Sequence, residues 1–313
     1  MSVRLRRLRA FAKRLPLLRQ YERRITELTA EVHKRQTWVP IGHYYSPFVN
    51  LDDFAANTDR IYGGDATVVP AINLRIDEQR KLLTEMSEFA RSISFCTTEA
   101  DAREQGHRFW SLNPAYGDSD ARFLTAMLHQ FRPARLIELG CGYSSAVALD
   151  ARDRFLDFDL DLTFVDPYPQ LMESLVRDSD RATVTILPVG SQDVDLDLIR
   201  QLDVNDVLFI DSTHVSKAGS DVNRVFFEIL PAVRPGVLVH LHDIFLRFEY
   251  PLDWVREQRG WTEQYLLRAF LQYNSQFEIV LWPNLLAALD PTLMSEYPMM
   301  ATNAGGAFWM RRV

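Results

Sequence analysis

Two aspartates, Asp211 and Asp243, each follow a short apolar stretch, in "DVLFID" and "GVLVHLHD". If these stretches are neighbouring parallel strands, the two carboxylates meet at one edge of a sheet, and a shared proton or a divalent cation must relieve their repulsion. His214 lies three residues after Asp211, and an imidazole with an ordinary pKa of about 6.5 can remove a proton from an alcohol near neutral pH. The residues predict a site that activates a hydroxyl group, with Asp211 and His214 as its catalytic residues.

The elements that would position these side chains are alternating strands and helices. Strands that alternate with helices predict an α/β fold, in which a parallel sheet is covered on both faces and ligands bind at the carboxyl ends of the strands. The predicted strands lie at residues 135–140, 162–166, 183–189, 206–211, 236–243, 277–282 and 306–312.

The first predicted strand runs into a glycine turn, "IELGCGYSSA". Gly140 and Gly142 allow a tight turn that approaches a ligand closely, and Ser144 can cap the following helix. A nicotinamide-binding loop would have a third glycine, and the Glu138 carboxylate would repel a pyrophosphate. The turn therefore favours a cofactor that carries an amino group and no phosphates, and an ordinary strand-to-helix turn is the alternative.

The next two strands also end in acidic residues. Asp166, in "FVDPY", is placed to accept hydrogen bonds from the two hydroxyls of a ribose. In "PVGSQDVD", Asp193 could accept a hydrogen bond from an adenine amino group, with Gln192 beside the ring. On each motif alone the alternatives stay open: an Asp-Pro turn at Asp166 and a helix cap at Asp193.

The motifs "IELGCGYSS", "FVDPY", "SQDV" and "LFIDSTH", in this order, resemble the class I S-adenosylmethionine-dependent methyltransferases. The resemblance covers residues 107 to 313. Within this family, the chain resembles the subgroup of O-methyltransferases that act on macrolide sugars and in the cephalosporin pathway. The resemblance implies a Rossmann-like fold with a seven-stranded, mostly parallel sheet, an antiparallel last strand and an N-terminal helical extension. It also implies an S-adenosylmethionine site formed by Glu138, Gly140, Cys141, Gly142, Ser144, Asp166, Gln192, Asp193 and Asp211.

The resemblance further implies a divalent metal, magnesium or manganese, held by Asp211 and Asp243, and His242 is the third candidate ligand. The sugar enzymes carry an acidic residue at the position of His242, and an imidazole suits manganese, iron or zinc better than magnesium. His242 could therefore change the metal preference, act as a second base or bind no metal. His240 would share the face of His242 in an alternating strand, where it could simply be packed.

The predicted reaction is methylation of a sugar hydroxyl in a glycan or glycosylated metabolite. A phenolic or catechol O-methyltransferase is the first alternative, and a cofactor-binding scaffold without catalysis is the second. Aromatic residues after the fifth strand could stack on an acceptor or belong to the core. The candidate acceptor-binding residues are Tyr116, Asp118, Lys217, Phe245 and Tyr250.

Charge and composition separate the chain into a basic head and an acidic body. Residues 1–36 hold 11 Lys or Arg and 3 Glu, a balance of +8, whereas the whole chain carries −7. Apolar residues recur through this head at near-heptad spacing, which predicts a basic amphipathic helix that contacts an anionic membrane or self-associates as a coiled coil. The acidic body argues against nucleic acid as a partner.

Residues 37–106 are predicted to form a cap region, and they include an amphipathic helix in "RIDEQRKLLTEMSEFARSI". Residues 107–313 are predicted to form the methyltransferase domain. The sequence contains two cysteines and no apolar run of the roughly 20 residues needed to span a bilayer. We therefore expect a cytoplasmic protein, with peripheral contact at the inner membrane face as a further hypothesis.

Overall fold

The computed structural model describes residues 20–21, 23–28, 38–297, 300 and 303–313. These form two compact units: the described residues up to Thr58 with Arg256–Gln258, and Asp59–Val255 with Arg259–Val313. Residues 20–21 and 23–28 are helical, and the rest of the basic helix predicted for residues 1–36 lies outside the described residues. The domain boundaries at residues 36 and 106 stay predictions.

The larger unit is built on one sheet. Within the described residues its strands are β1 (Arg135–Leu139), β2 (Asp161–Val165), β3 (Val184–Leu187), β4 (Val207–Ile210), β5 (Leu238–Leu241), β6 (Phe277–Leu281) and β7 (Phe308–Arg312). Their order across the sheet is β3, β2, β1, β4, β5, β7, β6. β7 pairs antiparallel with both of its neighbours, and the other neighbouring strands are parallel. The predicted Rossmann-like sheet with an antiparallel last strand is confirmed.

Within the larger unit, helices connect these strands and flank the sheet. The described helices are α1 (Leu51–Ala56), α2 (Thr58–Tyr62), α3 (Ile76–Ser92), α4 (Glu99–Glu104), α5 (Asp118–Phe131), α6 (Tyr143–Arg154), α7 (Gln170–Leu175), α8 (Leu196–Arg200), α9 (Asp221–Arg224), α10 (Leu230–Ala232), α11 (Leu252–Arg256), α12 (Glu263–Leu271), α13 (Pro283–Leu289) and α14 (Leu293–Glu296). A π-helical turn, Val225–Ile229, joins α9 to α10. Short 3-10 turns lie at Asp180–Ala182, Ser191–Asp193 and Leu246–Phe248.

The core occupies both faces of the sheet. All four residues of β4 are buried, because the strand lies in the middle of the sheet and is covered on both sides. Its side chains alternate: Val207 and Phe209 join one apolar cluster, and Leu208 and Ile210 join the other. The amphipathic helix predicted from the sequence is confirmed as α3, which buries Leu82, Leu83 and Met86.

A buried ion network holds the chain segment before α5 against the helix that follows β1. Arg108 is 3% exposed, and its guanidinium contacts Asp150 at 2.9 Å, Asp153 at 2.6 Å and Asp180 at 2.7 Å. Burial opposes the charge of Arg108, but hydrogen bonds to these carboxylates outweigh it and raise the pKa of Arg108. The backbone N–H groups of Arg108 and Phe109 also donate to Asp150. A single cation therefore satisfies several carboxylates, of which Asp150 and Asp180 are buried.

Replacing Arg108 by methionine should destabilise the fold severely, because Asp150 and Asp180 would keep their buried charges without a partner. We expect a loss of about 3–5 kcal/mol in the free energy of unfolding, measured by urea denaturation. The matched control is Arg103→Met, which removes an exposed pair with Glu99 and should cost at most about 1 kcal/mol. Equal effects of the two substitutions would contradict the role given to Arg108.

Candidate functional site

The carboxyl ends of the central strands bring together the residues singled out from the sequence. Because β1 lies between β2 and β4, the glycine turn after β1 adjoins Asp166 after β2 and Asp211 after β4. β5 lies beside β4 and is followed by His242 and Asp243. One edge of the sheet therefore carries both the turn and the acids.

A close backbone contact fixes the glycine turn against β4. Gly140 has a φ of +88°, and a Cβ at this position would lie 1.8 Å from the carbonyl oxygen of Asp211. The N–H of Gly140 donates to Val165, and the N–H of Asp211 donates to the carbonyl of Leu139. A side chain is excluded at residue 140 by both backbone conformation and space.

The carboxylates of Asp166 and Glu138 occupy different environments in this turn. One oxygen of Asp166 accepts the N–H of Cys141 at 3.0 Å, and the other accepts the N–H of Tyr168 at 2.6 Å. Glu138 is buried; Ser144 donates to its Oε1, and Oε2 has no hydrogen-bond partner in the described structure. Burial raises the pKa of Glu138 to about 8, although the bond from Ser144 opposes the shift. Glu138 is thus largely neutral at pH 7 and is under-satisfied.

A cavity of about 540 Å³ opens beside this turn. Its size falls within the range of small-molecule sites in proteins. Among the sequence-predicted residues it is lined by Tyr116, Gly140, Cys141, Gly142, Ser144, Asp166, Gln192, Asp211 and Lys217.

The other residues predicted from the sequence are not among those that line the cavity in the described structure: Glu138, Asp193, His214, His242, Asp243, Asp118, Phe245 and Tyr250. Asp193 is exposed in the 3-10 turn after β3, and Asp118 pairs with Arg122 at 2.6 Å. Phe245 packs edge-on against Trp254, and Tyr250 packs edge-on against Trp261. Lining residues that were not singled out follow the same strand ends: Pro167, Tyr168, Leu171, Gly190, Ser191, Ser212, Thr213, Ser220 and Asp221.

Asp211 also belongs to a cluster of carboxylates and imidazoles next to the cavity. Asp211, His214 and Asp243 can offer one ligand atom each within 4.8 Å of one another, the arrangement of a candidate cation site. Nε2 of His214 lies 3.2 Å from Asp211 and 3.7 Å from Asp243. Because the donors are two carboxylates and an imidazole, this set suits a divalent cation.

The charge state of His214 differs from the near-neutral pKa expected from the sequence. Burial alone would lower its pKa, but hydrogen bonds to Asp211 and Glu263 raise it to about 10. Burial alone would raise the pKa of Asp211, but the imidazoles of His242 and His214 hold it below its usual range. His214 is therefore protonated at neutral pH in the protein without ligands.

His242 projects toward the same acids from the end of β5. Its Nδ1 lies 3.7 Å from Asp211 and 3.5 Å from Asp243, and its Nε2 lies 3.7 Å from Asp120. These are ion-pair distances, and neither nitrogen has a hydrogen-bond partner among the described residues. Burial lowers the pKa of His242, but the carboxylates of Asp243 and Asp211 raise it well above its ordinary value.

Two further residues, His240 and Gly306, lie beside this part of the cluster. His240 is buried between the rings of Phe209 and Trp309 at 4.2 and 4.6 Å, and burial lowers its pKa. Gly306, just before β7, donates its N–H to Asp120 at 2.9 Å, and a Cβ there would lie 3.0 Å from Asp243. His240 therefore packs in the core, whereas the segment leading into β7 directly abuts the acids.

Glu263 was not identified as a site residue from the sequence. Its Oε2 lies 2.8 Å from Nδ1 of His214, and the side chain is fully buried. Glu263 is 49 residues from His214 in sequence and looks like an ordinary acidic residue in the first turn of a helix. Only the tertiary structure makes this contact visible.

Comparison with known proteins finds a family match for the segment that carries these residues. A family model described as a methyltransferase domain matches residues 137–244, less than half of the chain. This range includes the glycine turn, Asp166, Asp211, His214 and Asp243. An uncharacterized protein from Archaeoglobus fulgidus is 26% identical over 168 residues, which cover 53% of this chain and 74% of that protein.

Several solved structures are similar at low sequence identity. The SAH-bound methyltransferase PaMTH1 of Podospora anserina shares 13% identity over 89% of this chain and 99% of that one, with a TM-score of 0.41. The O-methyltransferase TomG of Streptomyces achromogenes, in complex with SAM, shares 16% identity over 74% and 89% of the two chains, with a TM-score of 0.39. Likeness at these TM-scores carries no functional inference, so the fold assignment rests on the strand order itself.

Proposed function

We propose that this chain is an S-adenosylmethionine-dependent O-methyltransferase. The observation that carries the proposal is the position of Asp211, which lines the cavity beside the glycine turn and also contacts His214 in the acid cluster. A methyl donor in the cavity and a hydroxyl acceptor at the cluster would then lie on opposite sides of one residue. The match of residues 137–244 to a methyltransferase domain supports this assignment.

The cofactor would be bound by residues that the turn already orients. Asp166 would accept hydrogen bonds from the ribose hydroxyls, and the under-satisfied Oε2 of Glu138 would pair with the amino group of the methionine part. Gln192, which lines the cavity after β3, would flank the adenine. Gly140 would keep this turn packed against the carbonyl of Asp211, where no side chain fits.

The donor set around Asp211 fits a divalent cation, as the sequence implied. Asp211 and Asp243 would hold it, and His242, whose buried nitrogens have no hydrogen-bond partner among the described residues, would supply the imidazole donor, which leaves Nε2 of His214 available to act as the base. When bound, such a cation lowers the pKa of a hydroxyl group and orients it. Imidazole donors favour manganese over magnesium in this set.

His214 is the residue we assign to receive the proton of the acceptor. With a pKa of about 10 it is protonated in the ligand-free protein and cannot yet act as a base. Asp211 is one of the groups that keep it protonated, so neutralising the carboxylates lowers the pKa of His214 toward the range in which it can accept a proton. The protonation of His214 therefore depends on whether the charge of Asp211 is neutralised.

For the acceptor we propose a sugar hydroxyl, because an alcohol needs such activation more than an amine or thiol does. The ring of Trp261 lies 4.3 Å from the ring of His214, and Trp254 and Phe245 continue this aromatic surface. Aromatic faces stack on sugars and exclude water. A phenol or catechol would stack there as well, so a phenolic O-methyltransferase is the second candidate.

We also propose contact with an anionic membrane surface, at the inner face of a cytoplasmic membrane. Residues 1–36 carry a balance of +8, and Trp38, Tyr44 and Tyr45 follow directly with exposed, mutually contacting rings. Trp38 is 86% exposed and Tyr44 is 80% exposed. Aromatic rings next to basic residues suit the interface of an anionic bilayer. No described helix is long and apolar enough to cross a membrane.

Substitutions of the cofactor-binding residues and of the acid cluster should have different effects on cofactor affinity and on methyl transfer. Asp166→Ala should weaken S-adenosylhomocysteine binding about 10- to 100-fold in calorimetry, because charge-assisted hydrogen bonds to the ligand are lost. Asp243→Asn should leave this affinity within about twofold and abolish methyl transfer from S-adenosylmethionine to a panel of sugars and catechols. A wild-type protein that binds the cofactor and methylates no member of the panel would favour the scaffold alternative.

Cofactor affinity should rise with pH. Glu138 is mostly neutral below its pKa of about 8, and pairing with an ammonium group requires its ionised form. We expect S-adenosylhomocysteine affinity to increase by up to about tenfold per pH unit between pH 6 and 8 and then to level off. In Glu138→Gln the dependence should disappear, and a flat profile in the wild type would refute the assignment.

Membrane contact can be measured by flotation with phosphatidylglycerol and phosphatidylcholine vesicles. We expect binding to the anionic vesicles only, with loss at 0.5 M salt because screening weakens the attraction. Replacing both Trp38 and Tyr44 by serine should weaken binding at fixed salt, while Tyr273→Ser, at another exposed tyrosine, should not. A salt-independent dimer without vesicle binding would support the coiled-coil alternative instead.

A further inference from the structure

Three consecutive residues at the start of α12 contact both loops that carry the acid cluster. The N–H of Ser216 donates to Oγ1 of Thr262 at 2.8 Å, and the backbone N–H groups of Thr262 and Glu263 donate to the carbonyl of His214. The side chain of Gln264 accepts the N–H of Phe245 at 3.0 Å. The first turn of α12 therefore fixes the loop after β4 and the loop after β5 to one rigid element.

Within this arrangement the Glu263 side chain is directed at the His214 ring. The backbone bonds are those that any residue at position 263 could make, whereas the contact of 2.8 Å between Oε2 and Nδ1 requires a side-chain acceptor. The other oxygen, Oε1, has no hydrogen-bond partner among the described residues. A buried carboxylate is costly unless it is paired, and Glu263 is paired with the side chain of His214.

The backbone of His214 adds to the constraint. Its φ of +58° lies in the left-handed region, which a residue with a side chain rarely occupies without support. The two N–H groups from α12 that bind its carbonyl supply that support. With the main chain and Nδ1 both fixed, Nε2 is left facing Asp211 and Asp243.

We propose that Glu263 is the positioning residue of His214: it accepts a hydrogen bond from Nδ1–H and thereby holds Nε2 toward Asp211 and Asp243. Histidines that act through one ring nitrogen are commonly oriented by a carboxylate on the other. The importance of the residue for methyl transfer rests on the proposed function. The orientation itself is a property of the protein alone.

The test is the side-chain NMR spectrum of protein labelled with ¹⁵N-histidine, with His214→Gln used to assign the signals of His214. In the wild type we expect a strongly deshielded Nδ1 proton that exchanges slowly, because it is buried and bonded to a carboxylate. In Glu263→Leu this signal should be lost. In Glu263→Gln it should remain but move upfield, because the amide oxygen is a neutral acceptor in the same position.

The matched control is Glu249→Gln, which removes a carboxylate that accepts from Tyr265 on the same helix and does not contact His214. It should leave the His214 signals unchanged. If Glu263→Leu fails to fold, the Glu263→Gln shift decides the question. Unchanged His214 signals in the Glu263 variants, or an unprotonated Nδ1 in the wild type, would overturn the proposal.

Calorimetry with S-adenosylhomocysteine on the same samples separates this proposal from the proposed function. Affinity in the folded Glu263 variants should stay within about twofold of the wild type, since Glu263 is not among the residues that line the cavity. A wild type that does not bind would refute the proposed function while the His214 spectrum still reports on Glu263. A large loss of affinity together with unchanged His214 signals would assign Glu263 a structural role instead.

Discussion

The edge of the sheet that borders the cavity depends on one close contact between two backbone segments, which leaves no room for a side chain at residue 140. The carbonyl of Asp211 lies where a Cβ of residue 140 would be, so the end of β4 rests directly on the glycine turn after β1. The turn faces the cavity, and Asp211 extends from the cavity into the acid cluster. Because the two are in contact through main-chain atoms, a shift of the turn would also move the first acid.

Much of this arrangement was predictable from the sequence, because it follows from strand ends. The carboxyl ends of parallel strands meet at one edge, so "IELGCG", "FVDPY", "LFIDSTH" and "VHLHD" already predict that Gly140, Asp166, Asp211 and Asp243 are neighbours. Strand alternation likewise indicates that His240 and His242 share a face. The sheet order then adds the antiparallel β7, which confirms the implied fold.

What the sequence could not predict depends on contacts between distant residues and on burial. Glu263 meets His214 only because the start of α12 packs on the loop after β4, and Arg108 meets three aspartates that lie on two other segments. The raised pKa of His214 has the same origin. The sequence suggests an ordinary imidazole, and the enclosed acids on both sides of the ring keep it charged.

The position of β7 has a consequence for how the chain acquires its native state during synthesis. β7 follows β6 along the chain but lies between β5 and β6 in the sheet, so the edge of β5 remains without its partner until Phe308–Arg312 has been made. The segment that precedes β7 also supplies Gly306, which borders Asp120 and Asp243. A nascent chain halted before this point on the ribosome would expose an apolar strand edge to aggregation and to chaperones. Pairing at the edge of β5 and the packing of Gly306 beside the acids therefore depend on the same segment of the chain.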